Sequence, residues 1–260
     1  MMDKLKKTVI QYAILFYDTC SIIFPNTPYL LFPELFITLL IVYSLYLVPG
    51  LPKIQGFSYP AYVCIGLSIA GAGYTSWRSM IFLMDDLKKT KILEEVLLAP
   101  VPVLLLVLVW IMVTSIVGIL TGLLTILLSK SITYLNPSIK IILPFFLITC
   151  FLSSLALIAW LFLSKQKIKL LTIFILPLIL ILSGVFYPYE STKGIGEIIL
   201  WLDPIFQGKA CLSHLLLKTP NSTGALISIG ILFPVTIGVW AFLIDLARKG
   251  TLFSSFLTKE

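Results

Sequence analysis

From about residue 29 to residue 246 the sequence is a succession of apolar stretches, most about twenty residues long, separated by short polar links. That succession constrains the fold more than any other feature. An α-helix needs about 20 residues to cross about 30 Å of hydrocarbon. The stretches keep no strict polar–apolar alternation, so a transmembrane β-barrel is set aside. A soluble fold is excluded by composition, because 59% of the 260 residues are hydrophobic and only 12% charged. Soluble domains average about 25% charge, and half of that cannot cover a water-facing surface. The expected class is an all-α membrane protein.

Along the chain, Lys4, Lys7, Gln11 and Asp18 share one helical face, while Leu5, Val9, Tyr12, Ala13 and Phe16 share another. This predicts an interfacial helix within 1–28, ending at Pro25-Asn26-Thr27-Pro28, where prolines remove donors and disfavour helix in the preceding residue. Asp18 and the absence of a small-residue cleavage site argue against a signal peptide. Six spans follow: 29–49, 57–83, 103–128, 141–163, 170–186 and 224–246. A tight turn at Pro49-Gly50-Leu51-Pro52 joins the first two, and the second is rich in Gly66, Ser68, Ala70, Gly71, Ala72 and Gly73, residues that let helices approach closely in lipid. The charged stretch from Asp85 to Glu95, stopped by Pro100 and Pro102, reads as a short cytosolic helix. Between spans five and six, 187–223 holds two semi-apolar pieces, Ile195 to Leu202 and Ile205 to Leu217. Both are too short to span and suit re-entrant or interfacial helices. The whole of 1–260 is expected to form one transmembrane domain.

Charge sets the orientation. The chain has 19 basic and 12 acidic residues, a net charge of +7. Thirteen of the basic residues lie at the two ends and in the 77–100 and 164–169 links; the other six, Lys53, Lys130, Lys140, Lys193, Lys209 and Lys218, lie on the opposite side. The positive-inside rule therefore puts both termini in the cytoplasm. The basic residues form no face interleaved with aromatics, which argues against nucleic acid.

The chemistry of an autonomous ATPase is missing, since no glycine-rich loop ends in Gly-Lys-Ser/Thr. A single His214 cannot build a multi-histidine metal site. The four cysteines Cys20, Cys64, Cys150 and Cys211 lie far apart, without a C-x-x-C pair, and read as packing residues. No serine sits in a G-x-S-x-G elbow. Glu34 and Arg78 lie near the inner ends of spans one and two, where snorkelling accounts for them. The span interiors hold almost no other ionisable group, which disfavours an ion-coupled carrier or an intramembrane enzyme. Gly118 and Gly122 form a small-xxx-small pair suited to helix packing, and Pro177 and Pro234 read as kinks.

Two segments carry a resemblance. Leu93-Glu94-Glu95-Val96-Leu97-Leu98-Ala99-Pro100-Val101 resembles the cytosolic coupling segment of type-2 ABC exporter permeases. Ser183-Gly184-Val185-Phe186-Tyr187-Pro188-Tyr189-Glu190, followed by Asp203-Pro204-Ile205-Phe206, is similar to that family's S-G-x-x-(F/Y)-P exit and its later Asn-Pro. Asp203 departs from the commoner Asn, and the arginine expected some nine residues after that proline is replaced by the neighbourhood of Ser213 and His214. The resemblance implies a permease subunit without its own ATPase site or cofactor, in the inner (plasma) membrane. It would pair with a second permease copy and with two copies of a cytosolic ABC ATPase that bind ATP. It further implies that the 85–100 segment couples to the ATPase, with Lys88, Lys89, Lys91, Glu94, Glu95 and Pro100 in that role. Tyr43, Tyr46, Gly184, Phe186, Tyr187 and Pro188 would border the path or gate; for the aromatic residues among them, an aromatic belt at the outer interface is the plainer use. An amphipathic, lipid-linked or drug-like molecule is the expected cargo. The alternative is a non-transport membrane protein, either a lipid-modifying enzyme or an assembly scaffold.

Overall fold

The computed structural model describes residues 2–54, 57–90, 103–135, 139–163, 165–175, 183, 185–186, 203–217, 238–240 and 242. These residues are mostly helical. Helix α1 (Met2–Ile23) passes through one 3-10 turn at Phe24–Asn26 into α2 (Thr27–Tyr46). The prolines end α1 as expected, yet the chain stays helical on both sides of them. Pro25 and Pro28 each occupy the first turn of the element they enter, where the missing N–H would have no helical partner anyway. The Asn26 and Thr27 side chains also bond back to the Ile22 and Ile23 carbonyls, at 3.0 and 3.1 Å. Ala13–Tyr46 is thereby a helical stretch of 34 residues, long and apolar enough to cross a membrane.

Gly50 turns the chain after α2 at φ +77, a left-handed conformation that costs glycine little. Lys53–Ile54 then pairs antiparallel with Phe57–Ser58, a two-residue ribbon too short for any sequence pattern to announce. Helix α3 (Tyr59–Lys89) has 31 residues, about 46 Å at 1.5 Å per residue. It outlasts the predicted 57–83 span because Lys88 and Lys89 sit in its last turn, where the helix dipole favours positive charge. The Thr90 hydroxyl closes the helix on the Asp86 carbonyl at 2.8 Å. The charged residues 85–89 are thus the end of α3, not a separate element.

Helix α4 (Val103–Thr133) runs five residues past its predicted end, its polar tail held by Ser129 and Thr133 hydroxyls bonded to the Thr125 and Ser129 carbonyls at 2.7 and 2.9 Å. A 3-10 turn at Ile139–Ile141 leads into α5 (Ile142–Phe162). Two further membrane-length apolar helical stretches, Leu105–Thr133 and Ile139–Phe162, lie here. Three such stretches make the chain a membrane protein. Beyond α5 come α6 (Lys165–Leu170), a π turn at Leu171–Ile175 and α7 (Pro204–Leu217).

The core is built from α3, α4 and α5. Cys64 touches Ser129 at 2.9 Å, and a Cβ on Gly118 would meet Ala72 and Ser76, so α3 and α4 run antiparallel. Thr114 donates to Ser153 at 3.0 Å and Ser115 to Cys150 at 3.4 Å, which makes α4 and α5 antiparallel as well. The glycines set the spacing: added Cβ atoms at Gly73, Gly118 and Gly122 would collide with Leu152, with Ala72 and Thr149, and with Phe145. The small-residue reading of the second span and of Gly118 and Gly122 therefore describes real helix contacts. All four cysteines are buried and unbridged. Of the predicted sixth span only 238–240 and 242 are described, and there Trp240 donates to Ser154 on α5 at 3.1 Å.

Candidate functional site

Helix α3 also carries two polar clusters, one toward each end, and both reach residues of the predicted fifth span. Near the C-terminal end, Trp77 donates its indole N–H to Thr172 Oγ1 at 2.9 Å, and the Tyr74 hydroxyl meets the Thr172 carbonyl at 3.4 Å. One turn on, Arg78 Nη1 lies 3.4 Å from Glu34 Oε1 on α2, with its guanidinium 5.7 Å from the centre of the Tyr74 ring. The side chains keep 32% and 18% exposure, so the pair is neither sealed nor free in solvent.

At the N-terminal end the Tyr59 hydroxyl donates to the Phe186 carbonyl at 2.9 Å. Beside it, a Cβ on Gly66 would lie 3.0 Å from Val185 Cα. A larger residue at this position would have to push the Val185 backbone away from α3. Thr172 meets Tyr74 and Trp77 while Val185 and Phe186 meet Gly66 and Tyr59, so these residues touch α3 in the reverse of its own order.

Helix α7 completes the second cluster. Asp203 caps it, accepting the Ile205 amide at 2.9 Å, and Pro204 fills its first position. Burial pushes the Asp203 carboxyl above the usual carboxylate range, opposed by hydrogen bonds from Ser183 and from the Ile205 and Phe206 amides. Lys209, 3% exposed, sets its ammonium 3.6 Å from the centre of the Tyr62 ring, and Gly208 packs against Ile69 and Ile148. A buried cation over an aromatic face is a strong local tie.

Of the residues singled out from sequence, Lys88 and Lys89 are exposed at the end of α3, and Tyr43 and Tyr46 are exposed on α2. Phe186 is half-buried at the Tyr59 contact. Lys91, Glu94, Glu95, Pro100, Gly184, Tyr187 and Pro188 lie outside the described residues, as do Pro177, Pro234 and the Ile195–Leu202 piece. Sequence reasoning missed the Glu34–Arg78 pair, reading each as snorkelling alone. The signal was there: opposite charges in consecutive spans are drawn together wherever those spans pack. It also missed Lys209 over Tyr62, which no spacing rule links. Comparison with known protein families, with characterised proteins and with solved structures gives no match to this chain.

Proposed function

We propose that the chain is the membrane-spanning permease subunit of an ATP-driven exporter of the type-2 ABC kind, moving an amphipathic, lipid-linked or drug-like molecule out of the cytoplasm. The observation that supports the reading is that Thr172 and Phe186 bond to opposite ends of α3, at Trp77 and Tyr59, with α7 capped by Asp203 beside Ser183. A fifth span ending at Ser183-Gly184-Val185-Phe186, followed by a short helix that turns back among α3 and α5, is the order of elements the two resembling segments imply. The chain then crosses the inner (plasma) membrane six times with both termini in the cytoplasm. It works as a homodimer with two copies of a separate ABC ATPase, which bind the ATP. Helix α3 is the natural lever, because it is a single 31-residue rod reaching from the Tyr59–Phe186 contact to the charged 85–100 segment.

The test is the Glu94→Lys, Glu95→Lys double variant, in which the charge offered to the ATPase is reversed. Transport-linked ATP hydrolysis in the assembled complex should be lost. Unchanged hydrolysis together with unchanged assembly overturns the coupling role, and a chain that co-purifies with no nucleotide-binding subunit overturns the exporter reading itself.

A further inference from the structure

Between Pro60 and Met80 every residue of α3 is buried except Leu67, Tyr74 and Arg78, and the half-buried Ile81 continues their line. Spacings of seven, four and three put these residues on one helical face. That strip is bordered by α2, through Glu34, and by the 171–175 turn, through Thr172. An otherwise apolar strip thus carries one guanidinium near its C-terminal end. Ionisable groups within apolar spans are costly and mark functional positions.

We infer that this face of α3 binds the phosphate head of an anionic amphiphile, with Arg78 as the headgroup ligand, Tyr74 as its wall and Leu67 and Ile81 as the track for the acyl chain. The inference rests on the exporter reading for its biological use, since it names the class of cargo, but not for its chemistry. Arg78 meets Glu34 through a single N–O contact of 3.4 Å, at the long limit of a hydrogen bond. A guanidinium presents five N–H groups in a planar fork that suits bidentate phosphate or carboxylate recognition. One long contact leaves most of that fork for a ligand. Glu34 keeps Arg78 aimed while the strip is empty, and it competes with an arriving anion. Partial exposure of both side chains, 32% and 18%, gives the head a way in.

The test uses the full chain in phosphatidylcholine vesicles containing a small fraction of spin-labelled phosphatidic acid, read by the motionally restricted signal against spin-labelled phosphatidylcholine. Native protein should select the phosphatidic acid, and Arg78→Gln should lose that selectivity about tenfold, the worth of a charge-assisted hydrogen bond. Arg78→Lys should retain part of it. Glu34→Gln should strengthen binding, an effect that mere misfolding would not produce. Replacing Lys88 and Lys89 by Gln should leave the difference between native and Arg78→Gln protein in place, which separates the site from general surface attraction. No selectivity in the native chain, or equal selectivity in Arg78→Gln, overturns the inference. Displacement by inorganic phosphate alone also overturns it, assigning the cleft to a soluble anion. The assay needs neither nucleotide nor a partner. Lost selectivity in a chain that still drives ATP-linked export would therefore remove the headgroup site only, while selective binding by a chain that recruits no ATPase would remove the exporter reading only.

Discussion

Trp160 donates its indole N–H to Asp85 Oδ1 at 2.9 Å, joining the C-terminal end of α5 to the C-terminal end of α3. The two helices run parallel here, so the bond holds their ends at one level, at the first residue of the charged segment proposed for coupling. Hydrogen bonds to a charged acceptor are stronger than neutral ones, but Asp85 is half-buried and water competes for it. Trp160→Phe keeps the ring and removes the donor. It should cost about 1 kcal/mol in thermal unfolding of the solubilised chain. An unaltered unfolding midpoint would show that the bond fixes nothing.

The glycine seam yields a sharper contrast. A Cβ at Gly118 would lie 2.5 Å from the Ala72 carbonyl oxygen and 2.7 Å from Thr149 Cγ2, whereas one at Gly71 would find only Thr121 Cγ2 at 4.0 Å. Backbone cannot retreat as a flexible side-chain tip can. Gly118→Ala should therefore destabilise by about 1–3 kcal/mol, as overpacking does, and Gly71→Ala should be neutral or slightly stabilising. Equal midpoints for the two variants would contradict the packing of α3 against α4.

These contrasts also show what was legible beforehand. Small residues in the second span and at Gly118 and Gly122 announced close helix contact because lipid supplies no hydrophobic drive between helices and packing must do so. Helix ends were less legible: α3 runs on to Lys89 and α4 to Thr133 because local hydroxyl bonds and dipole-matched lysines extend helix into polar sequence. The Glu34–Arg78 pair depends on how α2 crosses α3, a property of the packed bundle and not of either segment. Asp203-Pro204 carried a readable sign of its own, a capping residue followed by proline at the first helical position, and α7 starts there.

Asp203 supplies a pH signature. Its carboxyl is raised by burial, so the folded state favours the protonated form more than the unfolded state does. Stability from this group is therefore greatest at low pH and declines as pH rises through the raised value. Asp203→Asn keeps an oxygen for the Ile205 amide and carries no charge to bury. Its unfolding midpoint should exceed that of the native chain near neutral pH, and the gap should narrow as pH falls toward the usual carboxylate range. A gap that stays constant with pH would mean that Asp203 is solvated.

The orientation expected from the basic residues has its own check. An impermeant thiol reagent added from outside should label a cysteine placed at Lys193 and spare one placed at Lys89, which is exposed at the end of α3. The reverse pattern would invert the whole arrangement.

The last prediction concerns the end of the predicted fifth span. Tyr59 holds the Phe186 carbonyl, and Gly66 admits Val185 against α3. These two contacts tie Val185 and Phe186 to α3. Tyr59→Phe removes the hydroxyl while keeping the ring, and it should free the segment, raising the rate at which a cysteine at Phe186 is modified from outside. Gly66→Leu should push the segment away from α3 outright and do the same more strongly. If modification at Phe186 is the same in all three backgrounds, the anchoring of this segment by Tyr59 and Gly66 does not hold.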